Sequence, residues 1–149
     1  MNPELPAPPP LLGLRHLALY VASERYAATV QFYRAGMGMQ IDWQPDDDAT
    51  YLTSGTDNLA LHRVDDIAPD KVGRAVSGID HLGFMVPDAA SVEAWHARLQ
   101  SMTSALGIEI LTKPRLHRDG ATSFYLLDPA GNKVQILHIP STVSITGIA

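Results

Sequence analysis

The chain has 149 residues, a length typical of one domain that can bury a core and still enclose a ligand cavity. Hydrophobic residues make up 46% and charged residues 18%, a globular composition that argues against wholesale disorder. The formal net charge of −5 makes nucleic acid or an anionic membrane a poor partner, and no apolar run is long enough to span a membrane. With no cysteine, the sequence excludes disulfides and thiolate metal sites, and it fits the reducing cytoplasm, where we expect the protein to act.

The two ends of the chain differ from the rest. Residues 1–11 are rich in proline, which predicts a disordered or extended arm, and residues 141–149 form a predicted tail. The sequence predicts one domain over residues 12–140, made of two modules at about 12–66 and about 78–140. The connection between the modules is either an ordered loop over a site or a plain linker.

The sequence of the domain repeats itself. Leu14–Val21 and Ile79–Val86 are both strand-like segments with a histidine at the third position. A helical pattern follows each of them. The first helix is predicted to begin near Ser23 and the second near Asp88, and glycines end both.

Each predicted helix leads into three more strand-like segments, the last two joined by a turn. These segments are 39–43, 50–53 and 59–64 in the first copy and 108–111, 123–127 and 134–139 in the second. Each module therefore has the order βαβββ, with a curved sheet under its helix and its other face open. The prediction is an α+β fold whose two sheets curve around a shared cavity.

His16 and His81 occupy equivalent places in the two copies. A twofold repeat brings equivalent positions towards its axis, and two imidazoles that meet in a cavity can begin a divalent metal site. The small neighbours Ala18 and Gly83 share their strand faces and leave room beside the rings. The alternative is a pair of buried histidines whose nitrogens bond to the backbone.

The last predicted strand of each copy adds two candidates. Gln135 and His62 are polar residues within apolar strands, so each needs a hydrogen bond, a water, a ligand or a metal. His138 falls on the opposite face of its strand from Gln135.

Other polar residues have two open interpretations. The segment Arg115–Gly120 is either a lid or anion-contacting loop, or a solvated turn. His96 is expected to be a partly exposed helix residue, and Asp46–Asp48 is expected to be a solvated run or a weak site for a hard cation. Phosphate-loop, dinucleotide and nucleophile-elbow motifs are absent from the sequence, so we expect no nucleotide cofactor.

The order of four segments resembles the vicinal oxygen chelate superfamily, which includes glyoxalase I, extradiol dioxygenases and bleomycin-resistance proteins. The segments are Leu14–Val21, Gln31–Met39, Gly78–Val86 and Phe124–Leu137. The resemblance covers residues 12–140. It implies paired βαβββ modules and a small oxygenated substrate that chelates a divalent metal, with lyase, isomerase or ring-cleaving dioxygenase chemistry.

The resemblance also implies a ligand set, which by strand register falls on His16, His62, His81 and Gln135. Glutamate is usual in the family at the position of Gln135. Because a glutamine is neutral, this set suits a transition metal (Zn, Ni, Co, Fe or Mn) better than Ca²⁺ or Mg²⁺. A glutamine cannot accept a proton, so a general base must come from elsewhere, with His138 and His117 as candidates.

A second hypothesis is a metal-free, drug-binding protein of the bleomycin-resistance type, which needs a cavity with aromatic walls. The candidate wall residues are Tyr20, Trp43, Tyr51, Phe84, Phe124 and Tyr125. The resemblance also implies a homodimer, and it leaves open whether the site lies within one chain or between two.

Overall fold

The computed structural model describes residues 8, 10, 12, 14–65, 79, 81–118 and 120–140. The predicted tail 141–149, most of the arm 1–11 and the connection 66–78 lie outside these residues. The described residues contain no helix that is long and apolar enough to cross a membrane.

The first module forms a four-stranded sheet in the order β1-β4-β3-β2, in which β1 is parallel to β4 and the other pairs are antiparallel. Its elements are β1 (His16–Ala22), α1 (Ser23–Gln31), a π-helical turn (Phe32–Gly36), β2 (Gln40–Trp43), β3 (Ala49–Thr53) and β4 (Asn58–Val64).

The second module repeats this topology in the order β5-β9-β8-β6, with one extra short strand, β7, paired to β8. Its elements are β5 (Leu82–Met85), α2 (Ala89–Gln100), α3 (Thr103–Leu106), β6 (Glu109–Ile110), β7 (Arg115–Leu116), β8 (Thr122–Leu127) and β9 (Lys133–His138). The predicted α+β fold of two related modules is confirmed. The sequence did not predict β7, because two residues are too few to show a strand pattern.

The helix starts follow local hydrogen bonding. The second helix begins near Asp88 as predicted, and Asp88 caps α2 because its carboxylate accepts a hydrogen bond from the backbone N–H of Ser91 at 2.7 Å. Ser23 is the first residue of α1 rather than its cap, and its hydroxyl donates instead to the carbonyl of Val64. Gly107 ends α3 in the left-handed conformation.

Each sheet has a buried face and an open face. The helix α1 packs on β1 and β4, and α2 packs on β8 and β9, so alternate residues such as Leu19 and Val21 are buried. Residues of the opposite parity remain exposed, among them His16 and Ala18. Phe84 and Phe124 face the core rather than the open face, so the prediction of these two as wall residues was wrong.

Polar contacts, one of them buried, join the two modules. The Tyr33 hydroxyl donates to Oδ2 of Asp128 at 2.8 Å. The Arg98 guanidinium in α2 donates to the carbonyls of Ala35 and Gly36, at 3.0 and 3.1 Å, where the first helix ends. Burial raises the pKa of Tyr33 well above its usual range, and the nearby Asp128 carboxyl raises it further.

Candidate functional site

His16 lies at the start of β1 on the open face of the first module, and its ring is held in one orientation. Its Nδ1 is 2.7 Å from Oδ1 of Asn58, and Nδ2 of Asn58 donates to Oδ2 of Asp42 at 3.3 Å. An amide oxygen only accepts, so Nδ1 of His16 is the donor. The lone pair of Nε2 is then left for a ligand, which is the usual arrangement around metal-binding histidines.

His62 shares this open face but lies away from His16. The parallel register pairs His16 with Asn58 and Tyr20 with His62, so the two histidines are four positions apart along the strands. Four residues of strand span about 13 Å. The structure therefore does not bring the His62 imidazole to His16.

Aromatic rings surround His62 instead and continue across the sheet. Tyr20 lies 6.3 Å and Tyr51 5.8 Å from the His62 ring, and Trp43 lies 5.0 Å from Tyr51, measured between ring centroids. Tyr20 is 75% exposed and Trp43 is 57% exposed. These four rings, from four different strands, form the aromatic strip of the first module.

Gln135 lies on the open face of the second module, where hydroxyl groups hold its amide. Its Nε2 donates to Ser123 Oγ at 3.0 Å and to Tyr125 Oη at 2.9 Å. Both donors of the amide are used, so its oxygen, Oε1, is directed towards Gly83. A Cβ built on Gly83 would lie 3.7 Å from Oε1, and the absence of a side chain there leaves space beside the oxygen.

His81 is exposed and lies immediately before β5, the strand that pairs with β9 and so with Gln135. The register places Gly83 directly opposite Gln135, so His81 is two positions from it. The His81 ring packs edge-on against Tyr125, with 5.4 Å between ring centroids. His81 and Gln135 therefore approach the same region of the second module's open face.

The two candidate bases lie on different sides of the second sheet. His117 Nε2 is 2.6 Å from Ser123 Oγ, the same hydroxyl that contacts Gln135. His138 faces the helix side, where its Nδ1 is 3.4 Å from the carbonyl of Val86. The sequence correctly separated His138 from Gln135, and only His117 reaches the polar network of the open face.

His96 packs against the hydrophobic core and is not part of the candidate site. Its ring packs edge-on against Phe124 at 5.1 Å, and its buried Nε2 has no hydrogen-bond partner in the described part of the chain. The ring lies on α2, away from the open face.

The described residues do not bring a complete ligand set together within one chain. No three His, Asp or Glu side chains in the described ranges form a group that could hold a metal ion. His16 lies on one open face, and His81 with Gln135 lies on the other, and both histidines are exposed. Of the four predicted ligands, His16 and His62 lie on the open face of the first module, and His81 and Gln135 lie on that of the second.

Three supporting residues were not singled out from the sequence: Asn58, Ser123 and Asp42. Asn58 lies opposite His16 in the paired strand, and recognising it requires the strand register, which the sequence does not provide. Ser123 and Tyr125 alternate along β8, so they share a face that the sequence pattern alone indicates.

Residues 13–136 match the model of the Glyoxalase/Bleomycin resistance protein/Dioxygenase superfamily, and the chain belongs to this family. A lactoylglutathione lyase from Agrobacterium tumefaciens has a similar structure, with 26% identity, a TM-score of 0.65, and coverage of 87% of this chain and 96% of that one. A glyoxalase-related enzyme from Fulvimarina pelagi is 22% identical, with a TM-score of 0.66 over 87% of this chain and 90% of its own. No curated protein sequence matches the chain.

Proposed function

We propose that the protein is a metal-dependent enzyme of the lyase or isomerase type, acting on a small substrate that chelates a divalent transition metal through neighbouring oxygens. The observation that carries this proposal is the pair of oriented donors. Hydrogen bonds orient His16 through its Nδ1 and Gln135 through its Nε2, so Nε2 of His16 and Oε1 of Gln135 are the atoms that would bind a metal.

The donor chemistry fits such a metal. Imidazole nitrogen and amide oxygen are neutral ligands that suit Zn²⁺, Ni²⁺, Co²⁺, Fe²⁺ or Mn²⁺. We propose His16, His81 and Gln135 as ligands, and we assign His62 to the aromatic strip because the register separates it from His16. When bound, the metal would polarise a substrate oxygen and stabilise charge that develops there.

The chain's own residues would then move the proton. Gln135 cannot accept one, and His138 faces the helix side of the sheet. His117 is the remaining candidate for proton transfer, because Ser123 connects its Nε2 to the amide of Gln135. The ring-cleaving alternative is disfavoured by the donor set, since such enzymes use two histidines and a carboxylate.

We further propose a homodimer that completes the site. In one chain both open faces are exposed, and the apolar side chains on them include Tyr20 at 75% and Met85 at 56%. A twofold dimer that places the first module of one copy against the second module of the other covers both faces. It would also join His16 from one chain with His81 and Gln135 from its partner, twice per dimer.

The test is metal retention. Protein loaded with Co²⁺ and dialysed is analysed for metal content and for its visible absorption spectrum. We expect His16→Ala and His81→Ala to lose cobalt, while the matched control His138→Ala, on the other face, retains it. If His81→Ala, folded by circular dichroism, kept full metal content, the proposal would be wrong.

A second candidate function is supported by the aromatic strip. Exposed, neighbouring rings of Tyr20, Trp43 and Tyr51 can stack on a planar drug-like ligand without any metal. This metal-free binding function is favoured if the protein retains no cobalt and Trp43 fluorescence responds to planar aromatic compounds. It is rejected if wild-type protein binds such compounds only when it is loaded with metal.

A further inference from the structure

We propose that the second module binds a small anionic oxygen group of the substrate through Arg115 and Arg118. This inference rests on the proposed function, because it names the class of substrate that the same open face would take. The substrate is then a molecule with chelating oxygens at one end and a carboxylate or similar oxyanion at the other.

The segment that holds these arginines is ordered against the sheet. Arg115 pairs with Ser123 across β7 and β8. The N–H of His117 donates to the carbonyl of Ala121 at 2.7 Å, and the N–H of Gly120 donates to the carbonyl of His117 at 3.0 Å. These bonds hold the segment as a tight hairpin rather than a freely solvated turn.

Arg115 and Arg118 line the same open cavity. Arg115, Leu116, His117 and Arg118 line an open cavity of about 680 Å³. Neither arginine forms an ion pair within the described residues, whereas Arg63 does, with Asp48 at 3.0 Å. Two arginines at one cavity favour an oxyanion, which their guanidinium groups can bind through several charge-assisted hydrogen bonds.

Hydrogen bonds link the segment that lines this cavity to the proposed ligand Gln135. Ser123, the strand partner of Arg115, contacts both His117 and Gln135 through its hydroxyl. β7 and β9 are two strand spacings apart, about 10 Å, which suits the length of a small substrate. Leu116 is 74% exposed at the same cavity and offers apolar surface to the body of such a molecule.

The experiment compares ligands that differ in one group. Catechol, 3,4-dihydroxybenzoate and 3,4-dihydroxyphenylphosphonate share the same vicinal oxygens, but only the last two are anionic. Their dissociation constants are measured by isothermal titration calorimetry on both the metal-free and the cobalt-loaded protein. The variants are Arg115→Gln, Arg118→Gln and the double variant, with Arg34→Gln, an exposed arginine of the first module, as the matched control.

We expect at least one anionic probe to bind about tenfold or more tightly than catechol, with an advantage that shrinks as salt is raised. The double variant should bind all three probes alike, and Arg34→Gln should behave as wild type. If all probes bind wild type equally, or if the advantage survives in the double variant, the anion site is wrong even where cobalt is retained. If cobalt is not retained, the metal proposal fails and the metal-free titrations decide the anion site separately.

Discussion

The hydroxyl of Tyr33 in the first module donates a 2.8 Å hydrogen bond to the carboxylate of Asp128 in the second module. Tyr33 is fully buried, and Asp128 is 3% exposed. The same carboxylate also accepts from the backbone N–H groups of Ala130 and Asn132, so it organises the turn before β9 while it joins the two modules.

Removal of this hydroxyl should weaken the fold. Tyr33→Phe leaves a buried carboxylate oxygen with one donor fewer, which costs about 1–3 kcal/mol in the free energy of unfolding. Tyr20→Phe, at an exposed ring, is the matched control and should change stability by less than about 0.5 kcal/mol. Urea titration followed by circular dichroism measures both, and equal stability of the two variants would contradict the prediction.

Asp128 should also make stability depend on pH. Burial is the largest effect on this carboxyl and raises its pKa above the ordinary 3.8, although hydrogen bonds from Asn132 and Tyr33 oppose the shift. The folded state then holds the proton more tightly than the unfolded state. This contribution to stability is fully present below the unfolded pKa and is lost as pH rises through the folded pKa.

We therefore expect the stability of wild type relative to Asp128→Asn to increase as pH falls from 7 towards 4. Other carboxyls titrate in both proteins, so their effects cancel in the difference. The measurement is a series of urea titrations of both proteins at several pH values. A difference that stays constant or shrinks on acidification would show that the Asp128 pKa is not raised.

Asn58 should act as a positioning residue for His16. Asn58→Ala removes the acceptor of the Nδ1 proton, so the ring is free to rotate, and Co²⁺ affinity should fall about 10–100-fold. Gln40→Ala removes an exposed amide from the same sheet and should leave the affinity unchanged. Cobalt titration monitored by absorption gives the affinities. An unchanged affinity in Asn58→Ala with an unchanged melting temperature would remove Asn58 from this role.

Gln135→Glu should strengthen metal binding and weaken the metal-free fold. The new carboxylate can still accept hydrogen bonds from the hydroxyls of Ser123 and Tyr125. Residue 135 is only 9% exposed, so without a bound cation the negative charge is buried and destabilises the fold. We expect cobalt affinity to rise at least about tenfold, because charge attraction is added. Gln100→Glu, on exposed α2 surface, is the control. Weaker cobalt binding by Gln135→Glu would place the metal elsewhere.

The proposed dimer predicts that charges on either open face dissociate it. Tyr20→Lys and Met85→Lys should each shift the protein to monomer in sedimentation velocity and release cobalt, because both variants add charge to exposed apolar faces. Ala94→Lys, on the exposed side of α2, should do neither. A wild type that retains cobalt while monomeric at every concentration would refute the dimeric site.

The fold was largely predictable because the repeat is visible in the sequence. Two equivalent histidine-containing segments, each followed by a helical pattern, were enough to predict the paired modules, and the start of the second helix near Asp88 was predicted correctly. The π-helical turn at Phe32–Gly36 was not predicted, because its sequence continues the helical pattern of α1 without a break.

The site was less predictable because it depends on register. His62 fits the pattern of a ligand on the last strand, yet its pairing with Tyr20 places it four positions from the partner of His16. The sequence also did not predict that His117, and not His138, contacts the hydrogen-bond network of Gln135. His117 reaches Gln135 through Ser123 because β7 pairs with β8. A strand of two residues has no recognisable sequence pattern, so this pairing could not be predicted.

The Arg98 guanidinium satisfies two carbonyls, Ala35 and Gly36, at the end of a helix that belongs to the other repeat. A half-length polypeptide that carried only the first repeat would leave these carbonyls without that donor. The first module therefore depends on a side chain of the second for these two hydrogen bonds. If the gene were split between them, we expect the fragments to be recovered together and not as separate folded pieces.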